Sequence, residues 1–160
     1  MNQLIQQVET NIQRTGWSVI AVNGDPAINM PIWAYTVGIE RTLGHSELVM
    51  SGLPPETMQP ILNNIGTLIR DGARFIPGIQ AENVLQNYQV AFRTVHYSWY
   101  TGLFGVARRI YGHWEFQMLQ VLYPDSEGRF PWEAACITTI RERQPRLDLP
   151  MGERGIVPTA

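Results

Sequence analysis

AYTVGIERTLGHSELVMSGLP, residues 34–54, decides how the rest of the chain is read. Its first part belongs to IWAYTVGI (32–39), a β-branched and aromatic run that reads as a strand. Its last part holds SELVMSG (46–52), a second such run, set off by the punctuation of Gly44. Upstream, WSVIAV (17–22) is a short buried strand, and NGDPAINMP (23–31) is a loop built from turn residues, so the first two strands are expected to pair as a hairpin. Three strands in succession argue against strict alternation of strand and helix, and so against a doubly wound parallel sheet.

Working outward, Leu4, Ile5, Val8 and Ile12 fall at helical spacing over 2–14, and Gly16 stands where a left-handed cap ends such a helix. LPPETMQPILNNIGTLIRDG (53–72) is the clearest helix. Pro54, Pro55 and Pro60 suit its start, Ile61, Leu62, Ile65, Leu68 and Ile69 form its apolar stripe, and Gly72 stops it. ARFIPG (73–78) begins a short extended piece, and NYQVAFRTVH (87–96) alternates as a strand with Tyr88, Val90, Phe92, Thr94 and His96 on one face. SWYTGLFGVARRIYG (98–112) reads as a helix capped by Ser98, WEFQMLQVLYPD (114–125) as a strand, and RFPWE (129–133) as a rigid loop in which Pro131 bars central-strand pairing. The order αβββαββαβ predicts one α+β domain over 1–145, a curved and mostly antiparallel sheet with about three helices packed on one side. Residues 146–160, rich in Pro and Arg, read as a C-terminal tail.

Composition narrows the chemistry. With 44% apolar residues against 16% charged, a packed core is expected. A net charge of −2 without a basic run speaks against nucleic acid as a partner. All cations are Arg, so Schiff-base chemistry and a phosphate-loop lysine are excluded. Cys136, alone among small and apolar neighbours, reads as a buried thiol. Residues 1–17 lack the charged and apolar regions of a secretion signal, and no apolar run reaches the ~20 residues of a membrane helix. A cytoplasmic protein without membrane contact is the expectation.

Five stretches in one order, AYTVGI (34–39), GHSEL (44–48), SGLPPE (51–56), RTVHYSWY (93–100) and LQVLYPDSEGRFPWE (119–133), resemble the bacterial family known as domain of unknown function 4262. The resemblance runs from about Gly16 to the RQP at 143–145. It implies a stand-alone small bacterial domain and brings no assigned activity with it.

Three sets of residues could carry chemistry. On a strand, His45 and Glu47 point to the same face, and His96 at the end of another strand could complete a two-His, one-carboxylate set for iron or zinc. The competing reading has His45 bonded to backbone in a loop and Glu47 paired with an Arg. The second set, Arg93, Tyr100, Asp125, Arg129, Trp132 and Glu133, places charge and an aromatic in a Gly/Pro-stiffened loop suited to an anion, a planar ligand or a partner side chain. Its competing reading is an Asp turn over packed aromatics. Third, Tyr35 and Thr36 are polar groups in an apolar strand that need partners, whether in a pocket or in a hydrogen-bond network. No G-x-S-x-G elbow supports a serine hydrolase.

These observations favour a binding module that recognises a protein partner or small ligand through a face carrying Tyr35, Thr36, Arg93, His96, Tyr100, Asp125, Arg129 and Trp132. The alternative is an enzyme acting on a small molecule or peptide from the same strand ends, with a metal at His45, Glu47 and His96.

Overall fold

Every residue of Trp33–Val37, Glu47–Ser51 and Met118–Leu122 is buried, and three strands with no wet face must stand inside a sheet covered on both sides. The computed structural model, which describes residues 2–154, places them so. Strands β1 (Ser18–Val22), β2 (Trp33–Val37), β3 (Glu47–Ser51), β4 (Gln80–Leu85), β5 (Tyr88–Thr94) and β6 (Met118–Leu122) form one open sheet in the order β1-β2-β3-β6-β5-β4. Neighbours run antiparallel except β3 and β6, which run parallel with Glu47 beside Met118. The expected hairpin of the first two strands is there, with Ile20 opposite Tyr35. The helices are α1 (Asn2–Thr15), α2 (Ile39–Leu43), α3 (Pro55–Arg70), α4 (Tyr100–Leu103), α5 (Gly105–Tyr111), α6 (Thr138–Arg143) and α7 (Met151–Arg154). The fold is a single α+β domain, and no helix among the described residues is long and apolar enough to cross a membrane.

Helices lie on both faces of the sheet rather than on one. Val8 and Ile12 of α1, with Leu103, Phe104 and Ala107 around α4 and α5, pack on Tyr35, Val37 and Val49. Met58, Leu62, Ile65 and Ile69 of α3 cover Ala34, Leu48, Met50, Phe92 and Val121 on the opposite face. Each Val, Leu, Ile, Phe or Met among them contributes roughly 1.5–3 kcal/mol through burial, so neither face could be left to water. In β2, β3 and β6 buried apolar side chains point to both faces, and this is the reason.

Local departures from the expected elements have local causes. The strand expected to 39 ends at Val37, because Gly38 turns the backbone at φ 118° and begins α2. The helix expected over 98–112 is three pieces: a 3-10 turn at Tyr97–Trp99, then α4 and α5, which are broken at Phe104 between the poor helix formers Gly102 and Gly105. Its first turn is capped by the His96 ring, which accepts from the Ser98 N–H, and not by Ser98. In α3, Pro55 stands at the first position, whereas Pro60 falls inside the helix. The extended piece expected from Ala73 becomes a strand only at Gln80, where β4 pairs with β5 around a bulge.

Residues 146–149, expected as tail, belong to the packed domain. Gln120 in β6 donates to the Pro145 carbonyl at 2.8 Å and accepts from the Leu147 N–H at 3.0 Å. Gln144 does the same to the backbone of Tyr123, and Leu147 is fully buried. Two buried amides thus take up strand-end and segment backbone groups that would otherwise lack partners. Residues 155–160 of that expected tail lie outside the described residues.

Gly66 shows how closely α3 approaches the sheet. A Cβ there would lie 2.5 Å from the ring of Trp17, whose indole N–H is tied to Asn63 at 2.9 Å and whose face is covered by Arg70. Alanine is the better helix former by about 1 kcal/mol, but the clash with a fixed ring outweighs that gain. Gly66→Ala should therefore lower stability by about 1–3 kcal/mol in urea unfolding. A stabilised variant would show that Trp17 does not lock α3 in place.

Candidate functional site

Glu47 is the centre of the opening stretch, and its side chain is wholly inside the protein. Its Oε1 accepts from the Thr36 hydroxyl at 2.7 Å and the Ile39 N–H at 3.2 Å. Its Oε2 accepts from the Gly38 N–H at 2.9 Å, the Glu40 N–H at 3.2 Å and the Tyr111 hydroxyl. The carboxylate thereby caps α2 from the neighbouring strand, in place of the side chain that Gly38 lacks. Thr36 is oriented for this by accepting from the Leu48 N–H, and Tyr111 by accepting from the N–H groups of Gly38 and Arg41. Burial pushes the Glu47 carboxyl up from its ordinary value while Tyr111, Thr36 and the backbone donors pull it back. Burial and the adjoining carboxylate together drive the Tyr111 hydroxyl far upward.

The three candidate metal ligands are engaged separately. His45 is buried; its Nδ1 meets the Ser46 carbonyl at 2.9 Å and its Nε2 accepts from the Phe75 N–H at 3.0 Å, so both ring nitrogens are committed to backbone. His96 turns its Nδ1 to Ser98. Among the described residues no group of three or more His, Cys, Asp or Glu side chains is placed to hold a metal ion, and His45, Glu47 and His96 do not assemble into one. Replacing Glu47 by Gln turns an acceptor into a donor facing N–H groups. Glu47→Gln should cost at least about 2 kcal/mol in chemical denaturation, and Tyr111→Phe about 1 kcal/mol; a Glu47→Gln variant as stable as the parent would refute the capping role.

Other expected site residues also serve the fold. The Tyr35 hydroxyl, pushed up to about 12 by burial, accepts from the Val106 N–H at the start of α5. Tyr100 stacks on Phe116, its hydroxyl likewise raised to about 12 by burial. Asp125 closes the loop after β6: it accepts from the N–H groups of Glu127, Arg129 and Ile137 and from the Arg129 side chain at 3.0 Å. Desolvation raises its carboxyl, but these bonds prevail and hold it down at about 2. Because the folded value lies below the ordinary 3.8, the stabilisation is complete above pH 3.8 and is lost as pH falls through 2. Melting curves should show this acid loss in the parent and not in Asp125→Asn; identical acid profiles would dismiss it.

Arg93 and Trp132 do come together. The Arg93 guanidinium lies 4.0 Å from the Trp132 ring centre, Phe130 stacks on Trp132 at 5.0 Å, and Arg146 lies over the same indole at 5.7 Å. Asp148 joins the two arginines, at 3.6 Å from Arg93 and 2.6 Å from Arg146. Trp132 forms part of a groove of about 770 Å³ between the 23–31 loop and the segment from Pro131 to Leu149. Met30, Pro31, Pro145 and Leu149 supply apolar lining, and Asp25, Arg141, Glu142 and Arg146 supply charge. Arg141 fixes the wall: its Nε donates to the Pro131 carbonyl, and its Nη2 reaches the carbonyls of Glu133, Ala134 and Cys136. Sequence reasoning did not reach Arg141, Arg146 or Leu149. The alternation Arg146, Leu147, Asp148, Leu149 was the available signal of an extended segment with one apolar face.

No curated protein and no solved structure matches the chain significantly. The model of the family described as Domain of unknown function (DUF4262) matches residues 11–137, most of the chain, and the chain therefore belongs to that family.

Proposed function

We propose that this domain is a binding module that seats a small organic ligand in the groove between the 23–31 loop and the Pro131–Leu149 segment. The observation that carries the reading is that the groove is preformed. Its volume of about 770 Å³ falls within the range of small-molecule sites, roughly 300–1,000 Å³. Arg141 holds one wall by four carbonyls, and Gln120 and Gln144 tie the adjoining segment to β6. A ligand therefore meets walls whose ordering has already been accomplished by folding, which keeps the entropic cost of binding low. In keeping with the family resemblance, we place this activity in a bacterial cytoplasm.

A fragment screen followed by amide and indole NMR shifts tests the reading. Fragments should perturb Trp132 and its groove neighbours in a saturable way, and Ala134→Trp, which intrudes on the groove, should abolish those shifts without lowering the melting temperature. Perturbations scattered over other surfaces, or unchanged in Ala134→Trp, would remove the groove from consideration.

A further inference from the structure

We infer that the ligand of this groove is a monocarboxylate with an apolar body, an assignment that rests on the groove being the binding site. Two guanidinium groups line it, and each is already clamped along one edge. Arg141 spends Nε and Nη2 on four carbonyls, and Arg146 spends Nε and Nη2 on a bidentate pair with Asp148 at 2.7 and 2.6 Å. Each is left with Nη1, which has no hydrogen-bond partner within the described protein. The Trp132 indole N–H likewise has no hydrogen-bond partner among the described residues, although Arg93, Arg146 and Phe130 all pack on its ring. The three residues that carry these donors line one cavity, and a guanidinium held along one edge is suited to offering its other edge to carboxylate oxygens.

The same groove limits the charge that it accepts. Asp25 and Glu142 also line it and formally balance Arg141 and Arg146. The Glu142 side chain makes no hydrogen bond or ion pair among the described residues. A dianion such as a phosphate monoester would bring a second negative charge towards these carboxylates, whereas a carboxylate brings one. Met30, Pro31, Pro145 and Leu149 offer the remainder of the ligand an apolar surface.

The test compares benzoate, phenyl phosphate and benzamide by NMR titration of the intact chain, reading Trp132 and the groove amides. Benzoate should bind more tightly than either of the others. Arg146→Met should weaken benzoate roughly tenfold, with its melting temperature recorded to verify the fold, and leave benzamide unchanged. Glu142→Gln, which breaks no contact, should tighten benzoate about threefold. Benzamide or phenyl phosphate binding in the groove as well as benzoate, or benzoate unaffected by both substitutions, would overturn the carboxylate assignment while leaving the groove as the site. Absence of groove shifts with all three probes would overturn the assignment too, and the fragment screen would then decide separately whether the groove binds anything.

Discussion

One carboxylate in the middle of the protein determines how its first half is connected. Glu47 leaves β3 at the point where β2 has just ended, and it takes the three N–H groups with which α2 begins. A helix of five residues has little stability of its own, because nucleation consumes most of what its few hydrogen bonds return. α2 therefore exists because a hydrogen-bond acceptor on the neighbouring strand is there to receive it. That carboxyl is held in turn by hydroxyls from β2 and α5, so two strands and two helices meet at one group. The near approach of α1 completes the arrangement: a Cβ on Gly38 would lie 2.8 Å from the Gly16 carbonyl, and only glycine lets the chain pass at φ 118°.

Periodicity made the larger elements legible. The i, i+3, i+4 spacing of α3 and the aromatic, β-branched run of β2 could be read directly, because in each a single physical demand, burial of a stripe or a strand, governs most positions. The two-sided covering of the sheet was also written there, in runs without polar alternation, but the reading gave more weight to element order. α2 was not legible. Its residues Ile39–Leu43 have no amphipathic period of sufficient length, and the group that stabilises them comes from another strand. Leu147 was hidden for a similar reason: a single buried leucine among Arg, Asp and Pro becomes meaningful only when Gln120 is seen to hold its backbone.

The site divides along the same line. The RFPWE frame pointed to Trp132, and Arg93 was named with it, since a stiff loop bearing an aromatic and a cation announces itself locally. Tyr35 and Thr36 attracted attention as polar groups in an apolar strand, His45 and Glu47 as candidate ligands two residues apart and Asp125 as a charge in a stiff loop, and each proves to be occupied with backbone. Polarity in a core marks a requirement for partners, and here the fold supplies them. The groove draws its second wall from Arg141 to Leu149, beyond the span that the family model matches.

The parallel seam between β3 and β6 has a bearing on how the molecule comes to exist. β1, β2 and β3 pair with their sequence neighbours, as do β4 and β5, and these pieces close over short loops. The joint between them, Glu47 to Met118, spans a stretch of chain that holds α3, the β4–β5 pair, α4 and α5. Closing such a distance costs entropy before any contact compensates for it, and the seam is the pairing of this sheet most distant in sequence. On the ribosome the two halves would emerge one after the other with their apolar central edges still unmatched. The last strand to arrive, β6, also carries Gln120, so the groove takes shape only as the sheet is completed.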